Sequence, residues 1–363
     1  MNLNRSDVTS ALFLAPPARM SDELKMLQAG FLNVTVLGDP RYTSAAEIRV
    51  GSHRLPYLGS KDRWTGALAW LTHLRRVRWP EVDMVVSLEL FSLSSWQAGR
   101  LARRLGRPHV IIVAQLQNSF PLYRLPPWRQ FTRANLRGVA TVIGLTNAAL
   151  EHVIHLGVAP QRVKVVSPGV DIQRFYNSFP RVEEKVVLFA GRFLEMKGVL
   201  DAIAACDKVI EKVPGLRLVF VGDGPLKRQL EQAALTRPWV EVRARVPHAE
   251  MPVLLRSARV MVAPSYTNSI DKEQFGFSIV EASLAGLAIA ATRSGSIPEV
   301  LPPDHPLVEE RDILSLAILI ERLLGDEGDY WAKQAQTWCQ DNFDINQQGT
   351  LMSRVLVECM EHS

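Results

Sequence analysis

A chain of 363 residues, 47% hydrophobic, 22% charged and with a formal net charge of +5, has the balance of a globular protein with room for two cores of ordinary size. No apolar run approaches the roughly 20 residues that cross a bilayer, and the N-terminus lacks a basic segment leading into a long apolar stretch and cleavage site, so a cytoplasmic protein is expected. Cys206, Cys339 and Cys359 stand far apart in apolar, helix-like settings, which argues against a disulfide framework or a zinc site.

Residues 12–15 read as a short first strand running into Pro16, Pro17 and Ala18, followed by a helix-like run at 21–28 and a second strand at 33–37 that Gly38, Asp39 and Pro40 close. The alternation continues with a strand at 83–88, a helix at 94–105, and buried strands at 110–114 and 139–145. β-Branched runs separated by helices imply a parallel sheet covered on both faces. Residues 1–180 carry 22 Lys and Arg against 11 Asp and Glu, and residues 181–363 carry 20 against 26, so a half at +11 precedes a half at −6. Such asymmetry predicts an anionic partner for the first half, a membrane surface or a phosphorylated acceptor; nucleic acid is disfavoured because no recognition motif is present. Arg63, Trp64, Trp70, Arg75, Arg76, Arg78 and Trp79, with Leu68, Leu71 and Leu74, read as an amphipathic helix suited to a membrane interface, the alternative being a helix packed on its own domain. A second cluster, Arg124, Trp128, Arg129, Phe131, Arg133 and Arg137, has the same character.

A short strand at 163–166 enters Ser167, Pro168, Gly169, Val170 and Asp171, and the polar stretch 177–184 reads as the domain linker. The second half restarts the pattern: strand 186–190, turn Gly191-Arg192, a helix from Val199, strand 216–221, turn Gly222-Asp223-Gly224-Pro225 and a helix from Leu226. Arg192 and Lys197 flank a strand-to-helix loop, where two cations can clamp a diphosphate, although Arg-x4-Lys alone also describes a solvated surface. The strongest stretch follows. Residues 259–264 read as a buried strand and 277–289 as a packed helix, so Ser265 to Gly276 forms a strand-to-helix turn, where open α/β sheets bind ligands. The helix start suits phosphate, Gly276 permits close approach of the backbone, and Glu281 is placed to accept hydrogen bonds from two adjacent ribose hydroxyls. This stretch reads as a nucleotide-sugar loop; the alternative is two glutamates, Glu273 and Glu281, that merely favour a helix dipole.

Taken as an ordered set, Gly191-Arg192, Lys197-Gly198, Gly222-Asp223-Gly224-Pro225, Val246-Pro247, Pro264-Ser265, Glu273-x7-Glu281 and Gly295-x-x-Pro298-Glu299 resemble the retaining glycosyltransferases of the GT-B fold, family 4. The resemblance covers roughly residues 163–300. It implies an α/β chain of two Rossmann-like, doubly wound domains facing a central cleft: 1–172 for the acceptor, 173–340 for the donor, and a C-terminal helix, 341–363, crossing back to the first domain. By the same resemblance Arg192 and Lys197 hold and stabilise the leaving diphosphate without a metal or other cofactor, and Glu273 hydrogen-bonds the donor sugar. Glu281 takes the ribose, backbone groups around Phe275, Gly276 and Phe277 orient sugar and phosphate, and the base rests near Arg245 and Val246.

The first half departs from the family pattern. Pro16-Pro17-Ala18 stands in place of a glycine-rich loop, and Gln115-Leu116-Gln117-Asn118 where a histidine is usual. Glu89 and Asn118 remain as candidates for an acceptor hydroxyl, with Glu89 as a helix cap the alternative. The expected function is transfer, with retention, from a nucleoside diphosphate sugar, a UDP-sugar favoured, to an acceptor for which lipid-linked or phosphorylated molecules are candidates. The expected place is the cytoplasm, with peripheral contact to the inner face of the membrane a further expectation. A nucleotide-sugar-binding protein without turnover and a GT-B sugar-nucleotide epimerase are the alternatives.

Overall fold

A computed structural model describes residues 11–14, 34–37, 57–58, 70–71, 82–90, 92–114, 126–176, 185–268 and 272–361. The chain divides into two compact units, Met1–Gly169 with Ile345–Ser363, and Val170–Asp344. The unit boundaries fall at 169/170 and 344/345, against 172/173 and 340/341 as read from the sequence.

In the first unit, strands β1 (Ala11–Leu14), β2 (Val34–Leu37), β5 (Met84–Leu88), β6 (His109–Val113), β7 (Thr141–Gly144) and β8 (Val163–Val165) form one parallel sheet in the order β2-β1-β5-β6-β7-β8. The central strands β5, β6 and β7 are buried at every position, as parallel strands covered on both faces must be. Helices α1 (Leu93–Leu105), α2 (Pro126–Leu136) and α3 (Asn147–His155) connect consecutive strands, and Ala149, Leu150 and Val153 pack with Ile111, Val113 and Val142. The opposite face, carrying Val86, Val110, Ile112 and Ile143, is covered by Met352, Val355, Leu356 and Cys359 of α12 (Ile345–Glu361), the last helix of the chain.

Between β2 and β5 lies a two-stranded antiparallel sheet of β3 (Tyr57–Leu58) and β4 (Trp70–Leu71). This corrects the amphipathic-helix reading at Trp70 and Leu71: tryptophan is at home in strands, and Tyr57–Leu58 supplies the pairing partner. The other residues of that cluster, and the linker at 177–184, lie outside the described residues.

The second unit repeats the architecture. Helix α4 (Ile172–Phe175) leads to strands β9 (Val186–Arg192), β10 (Arg217–Asp223), β11 (Val240–Arg243), β12 (Val260–Ala263), β13 (Ala288–Thr292) and β14 (Leu307–Val308), parallel in the order β11-β10-β9-β12-β13-β14. That is the doubly wound order, with its switch point between β9 and β12. Helices α5 (Val199–Val209), α6 (Lys227–Leu235), α7 (Met251–Arg256), α8 (Phe277–Leu284), α9 (Ile297–Val300), α10 (Ile313–Leu324) and α11 (Glu327–Asn342) complete it.

The helix expected over 277–289 stops at Leu284, and Ile289 belongs to β13. Gly286, at φ +85°, ends the helix turn, and the run Ala288-Ile289-Ala290-Ala291 is buried on both faces, so it carries no period by which helix and strand could be told apart. The two chain crossings lie side by side: Val170 N–H donates to Phe343 O at 2.8 Å, and a bridge joins Val170 to Asp344.

Candidate functional site

At the switch point of the second unit, β9 ends in Gly191-Arg192 and β12 in Ala263, so the loops after both strands open at the ligand-binding end of the sheet. The first loop makes a 3-10 turn, Glu195–Lys197, closed by Gly198 in the left-handed region. The second runs on through Pro264, Ser265 and Tyr266. Tyr266 N–H donates to Met196 O at 2.8 Å, which fastens the two loops together. As a result, residues 76 positions apart meet: Lys197 Nζ pairs with Glu273 Oε2, and Ser265 Oγ donates to the same oxygen at 3.0 Å.

Glu273 is buried, and its side chain keeps 11% of its exposure against 22% for Lys197. Burial by itself would raise the carboxyl pKa, but the Lys197 ammonium, its hydrogen bond, the Ser265 hydroxyl and the Gln274 N–H together hold it below its ordinary value. The carboxylate is therefore ionised at neutral pH, and accepts only. Its backbone is fixed as well. Ser296 N–H and Oγ both donate to Glu273 O, at 3.2 and 3.3 Å, and Gly295 passes so close that a Cβ there would sit 2.2 Å from Glu273 O. The Gly295-x-x-Pro298-Glu299 motif thus serves as the back wall of the Glu273 loop.

Helix α8 begins at Phe277 with Gly276 as N-cap at φ +80° and no side-chain cap, so its first N–H groups are left for another acceptor. Phe275 is buried edge-on against Phe277 and Phe343, at centroid distances of 4.8 and 5.4 Å, which anchors the loop. One turn into the helix, Glu281 keeps 13% side-chain exposure and is bonded by His248 Nε2 at 2.9 Å. His248 in turn packs on the buried Phe175 ring, 5.7 Å between centroids. Arg245, ahead of it, is exposed, and Val246 is half-buried against the core.

Arg192 is exposed at the end of β9 and has no ion-pair partner among the described residues. Gly222 and Gly224 have their reason in packing: a Cβ on Gly222 would meet Gly191 O at 1.8 Å, and one on Gly224 would meet Phe193 O at 2.6 Å. They bring the β9 and β10 turns together, and Asp223 Oδ1 accepts from Gly224 N–H at 2.9 Å.

Sequence reasoning placed Ser265 at the start of the loop without a partner for its hydroxyl, and gave no role to His248, Tyr266 or Arg311. Arg311 holds φ +67°, lies 3.5 Å over the Tyr266 ring, and bonds Asp201 at 3.2 Å. A Pro247-His248 pair just after the expected base site was the one signal for His248.

In the first unit Glu89 stands at the carboxyl end of β5 with φ +65°, a conformation that costs a non-glycine residue on the order of 1 kcal/mol or more. Ser95 Oγ donates to Glu89 O at 2.7 Å, Glu89 N–H donates to Ile112 O at 2.9 Å, and the Glu89 carboxylate accepts from Ala114 N–H at 3.4 Å. The cap of α1 is Ser92, whose hydroxyl accepts from Ser95 N–H, so the alternative reading of Glu89 as helix cap fails. Asn118 lies outside the described residues.

Residues 172–338 match the family model of the glycosyl transferases group 1, and residues 17–169 that of the glycosyl transferase 4-like domain. The chain is 27% identical over 336 residues to the 2-deoxystreptamine glucosyltransferase of Streptomyces kanamyceticus, covering 84% of this chain and 85% of that one. It is 31% identical over 153 residues to a phosphatidyl-myo-inositol mannosyltransferase of Mycobacterium tuberculosis, 38% of this chain and 39% of that one. Among solved structures, Anabaena HepE in complex with UDP superposes with a TM-score of 0.76 at 18% identity, over 96% of this chain and all of that one. Likeness at that identity is likeness of fold: two Rossmann-like α/β units, as in the GT-B fold class.

Proposed function

Since the chain belongs to the GT-B glycosyltransferases of the family 4 type, we propose that it moves a sugar, with retention, from a nucleoside diphosphate sugar to an acceptor hydroxyl. The observation that carries this is the ionised Glu273, held by Lys197 and Ser265 beside the uncapped start of the helix that bears Glu281. A UDP-sugar is favoured, and HepE solved with UDP and with UDP-glucose supports that choice of base.

Glu273 accepts hydrogen bonds from hydroxyls of the donor sugar. Lys197 has three donors, so it can keep Glu273 while reaching the diphosphate, and Arg192 adds a forked pair. As the bond between the anomeric carbon and the diphosphate oxygen breaks, negative charge grows on the diphosphate, and these cations with the α8 amides stabilise it. The acceptor oxygen bonds to the same face of the anomeric carbon, and its proton passes to a phosphate oxygen of the leaving diphosphate. No metal takes part in this proposal. Glu281, oriented by His248, holds the ribose, and Glu89 receives the acceptor hydroxyl.

A thermal-shift panel of UDP, GDP, ADP and their sugar conjugates tests the reading, because a ligand of the folded state raises the midpoint. One base should raise it selectively, and Glu281→Ala should weaken that binding at least about tenfold, as loss of hydrogen bonds to a charged group does. No shift with any nucleotide would sink the donor site. A peripheral place on an anionic membrane belongs to the same proposal, supported by the +11 charge of residues 1–180. Vesicle binding that Arg75→Glu, Arg76→Glu and Arg78→Glu together leave unchanged would remove it.

A further inference from the structure

The first unit carries a second concavity, at the opposite end of its strands from Glu89. It has a volume of about 780 Å3 and is walled by Asp83, Pro108, Ala140 and Arg162. These are the residues immediately before β5, β6, β7 and β8, four neighbours in the sheet. One side is closed by the end of α12 at Val355, Glu358 and Met360. Nothing in the donor chemistry uses this place.

Its wall carries three cations against two acids, and the sequence that leads to it is far more basic. Between Glu89 and Glu151 the sequence has no Asp, Glu or Lys, yet it has eight arginines. Arg107 and Arg162 line the cavity with Lys164, while Arg103, Arg104, Arg133 and Arg137 are exposed on the last turns of α1 and α2 or just beyond. Among the described residues none of these six guanidiniums has an ion-pair partner. Lys164 lies 3.7 Å from Glu358, and Asp83 is the other acid in the wall.

Cations at helix C-termini are often explained by the helix dipole, and Arg103, Arg104 and Arg133 fit that account. Arg107 and Arg162 do not. Arg107 follows the C-cap Gly106, and Arg162 sits in a three-residue 3-10 turn with little dipole to neutralise. Both are arginine, the side chain whose planar fork matches phosphate oxygens in pairs. The apolar remainder of the wall, Val139, Val355 and Met360, suits a non-polar portion beside the charged group, and the volume lies in the usual range for small-ligand sites.

We propose that this cavity is a second binding site, taking a phosphate-bearing ligand at Arg107 and Arg162, and separate from the donor site. Inorganic pyrophosphate is the first probe. Isothermal titration of the full chain carrying Arg192→Ala, which weakens the diphosphate contact of the donor site, should show remaining pyrophosphate binding that Arg107→Gln with Arg162→Gln then weakens at least about tenfold, the loss of one good charge-assisted contact. The second probe is sedimentation with vesicles of phosphatidic acid in phosphatidylcholine. Loss of pyrophosphate binding in the double variant identifies a free phosphate as the source; loss of vesicle binding alone identifies a lipid headgroup. Ala140→Glu, which sets a carboxylate in the wall without touching an arginine, should reproduce the same loss should the double variant fold poorly. The proposal is overturned if the arginine variants and Ala140→Glu bind both probes as the parent does, or if Arg192→Ala alone abolishes pyrophosphate binding and no vesicle binding occurs. A failed donor site would instead leave the pyrophosphate result intact and remove the nucleotide shifts.

Discussion

Lys197→Ala should leave Glu273 ionised, buried and supported by little more than Ser265 and the Gln274 N–H. Removing one partner of a buried ion pair costs about 3–5 kcal/mol; with Lys197 still 22% exposed and Glu273 11%, the lower end, about 3 kcal/mol, applies. The chain has a way out, because Glu273 can take up a proton. From an ordinary value of 4.5, protonation costs about 1.4 kcal/mol per pH unit, hence about 0.7 kcal/mol at pH 5 and nearly 5 kcal/mol at pH 8. The loss at pH 5 is therefore small and the loss at pH 8 large. The sign reverses relative to the parent. There the folded-state pKa is lowered, so the contribution of Glu273 is present above 4.5 and fades as pH falls below it; in the variant the folded-state pKa is raised, and stability fades as pH rises through it. Urea midpoints at the two pH values, followed by tryptophan fluorescence, measure the difference, and adding Glu273→Gln should restore most of the pH 8 loss. Equal losses at both pH values, or no recovery in the double variant, would refute a carboxylate held ionised by Lys197.

Gly295→Ala places a Cβ against Glu273 O and should lower turnover at least as far as Glu273→Ala, with nucleotide binding retained in both; retained turnover in transfer assays would show that the back wall yields. His109 and His305 are held neutral by burial, their pKa values pushed down to about 3 and about 4 from 6.5. Their stabilising contribution is full above pH 6.5 and is lost as pH falls, each by up to roughly 1.4 kcal/mol per unit, so urea midpoints that stay flat from pH 7 to 4.5 would contradict it. Glu89→Gly should relieve the φ +65° backbone, raising stability by about 1 kcal/mol while weakening acceptor use, seen as a higher acceptor KM; a destabilised variant would show that the carboxylate works for the fold.

The second unit was legible because its strands are apolar runs set between glycine turns, and each turn falls at one end of a parallel sheet. Val186 to Arg192 and Arg217 to Asp223 are such cases. Where small and apolar residues continue with Gly286 as the one turn signal between helix and strand, as from Leu284 to Ala291, the reading ran past that glycine into β13. The meeting of Lys197 with Glu273 follows from neighbouring loops across the switch point, which spacing along the chain does not display. His248 was harder still: its partner Glu281 lies 33 residues on, and a lone histidine in an exposed turn carries no period. Trp70 misled because aromatic and arginine residues at mixed spacing satisfy a helical wheel as readily as a hairpin.

The helix that covers the Val86, Val110, Ile112 and Ile143 face is synthesised only after the whole second unit. A ribosome that has finished Gly169 must add the 175 residues of the second unit before α12 exists, roughly 10 to 35 s at ordinary elongation rates. By the end of that interval the second unit has all of its own strands, while the older sheet has waited throughout with one apolar side uncovered, open to chaperones. Ribosome-bound chains arrested at residue 340 should be captured by a chaperone through that side, and chains arrested with residue 361 clear of the exit tunnel should not.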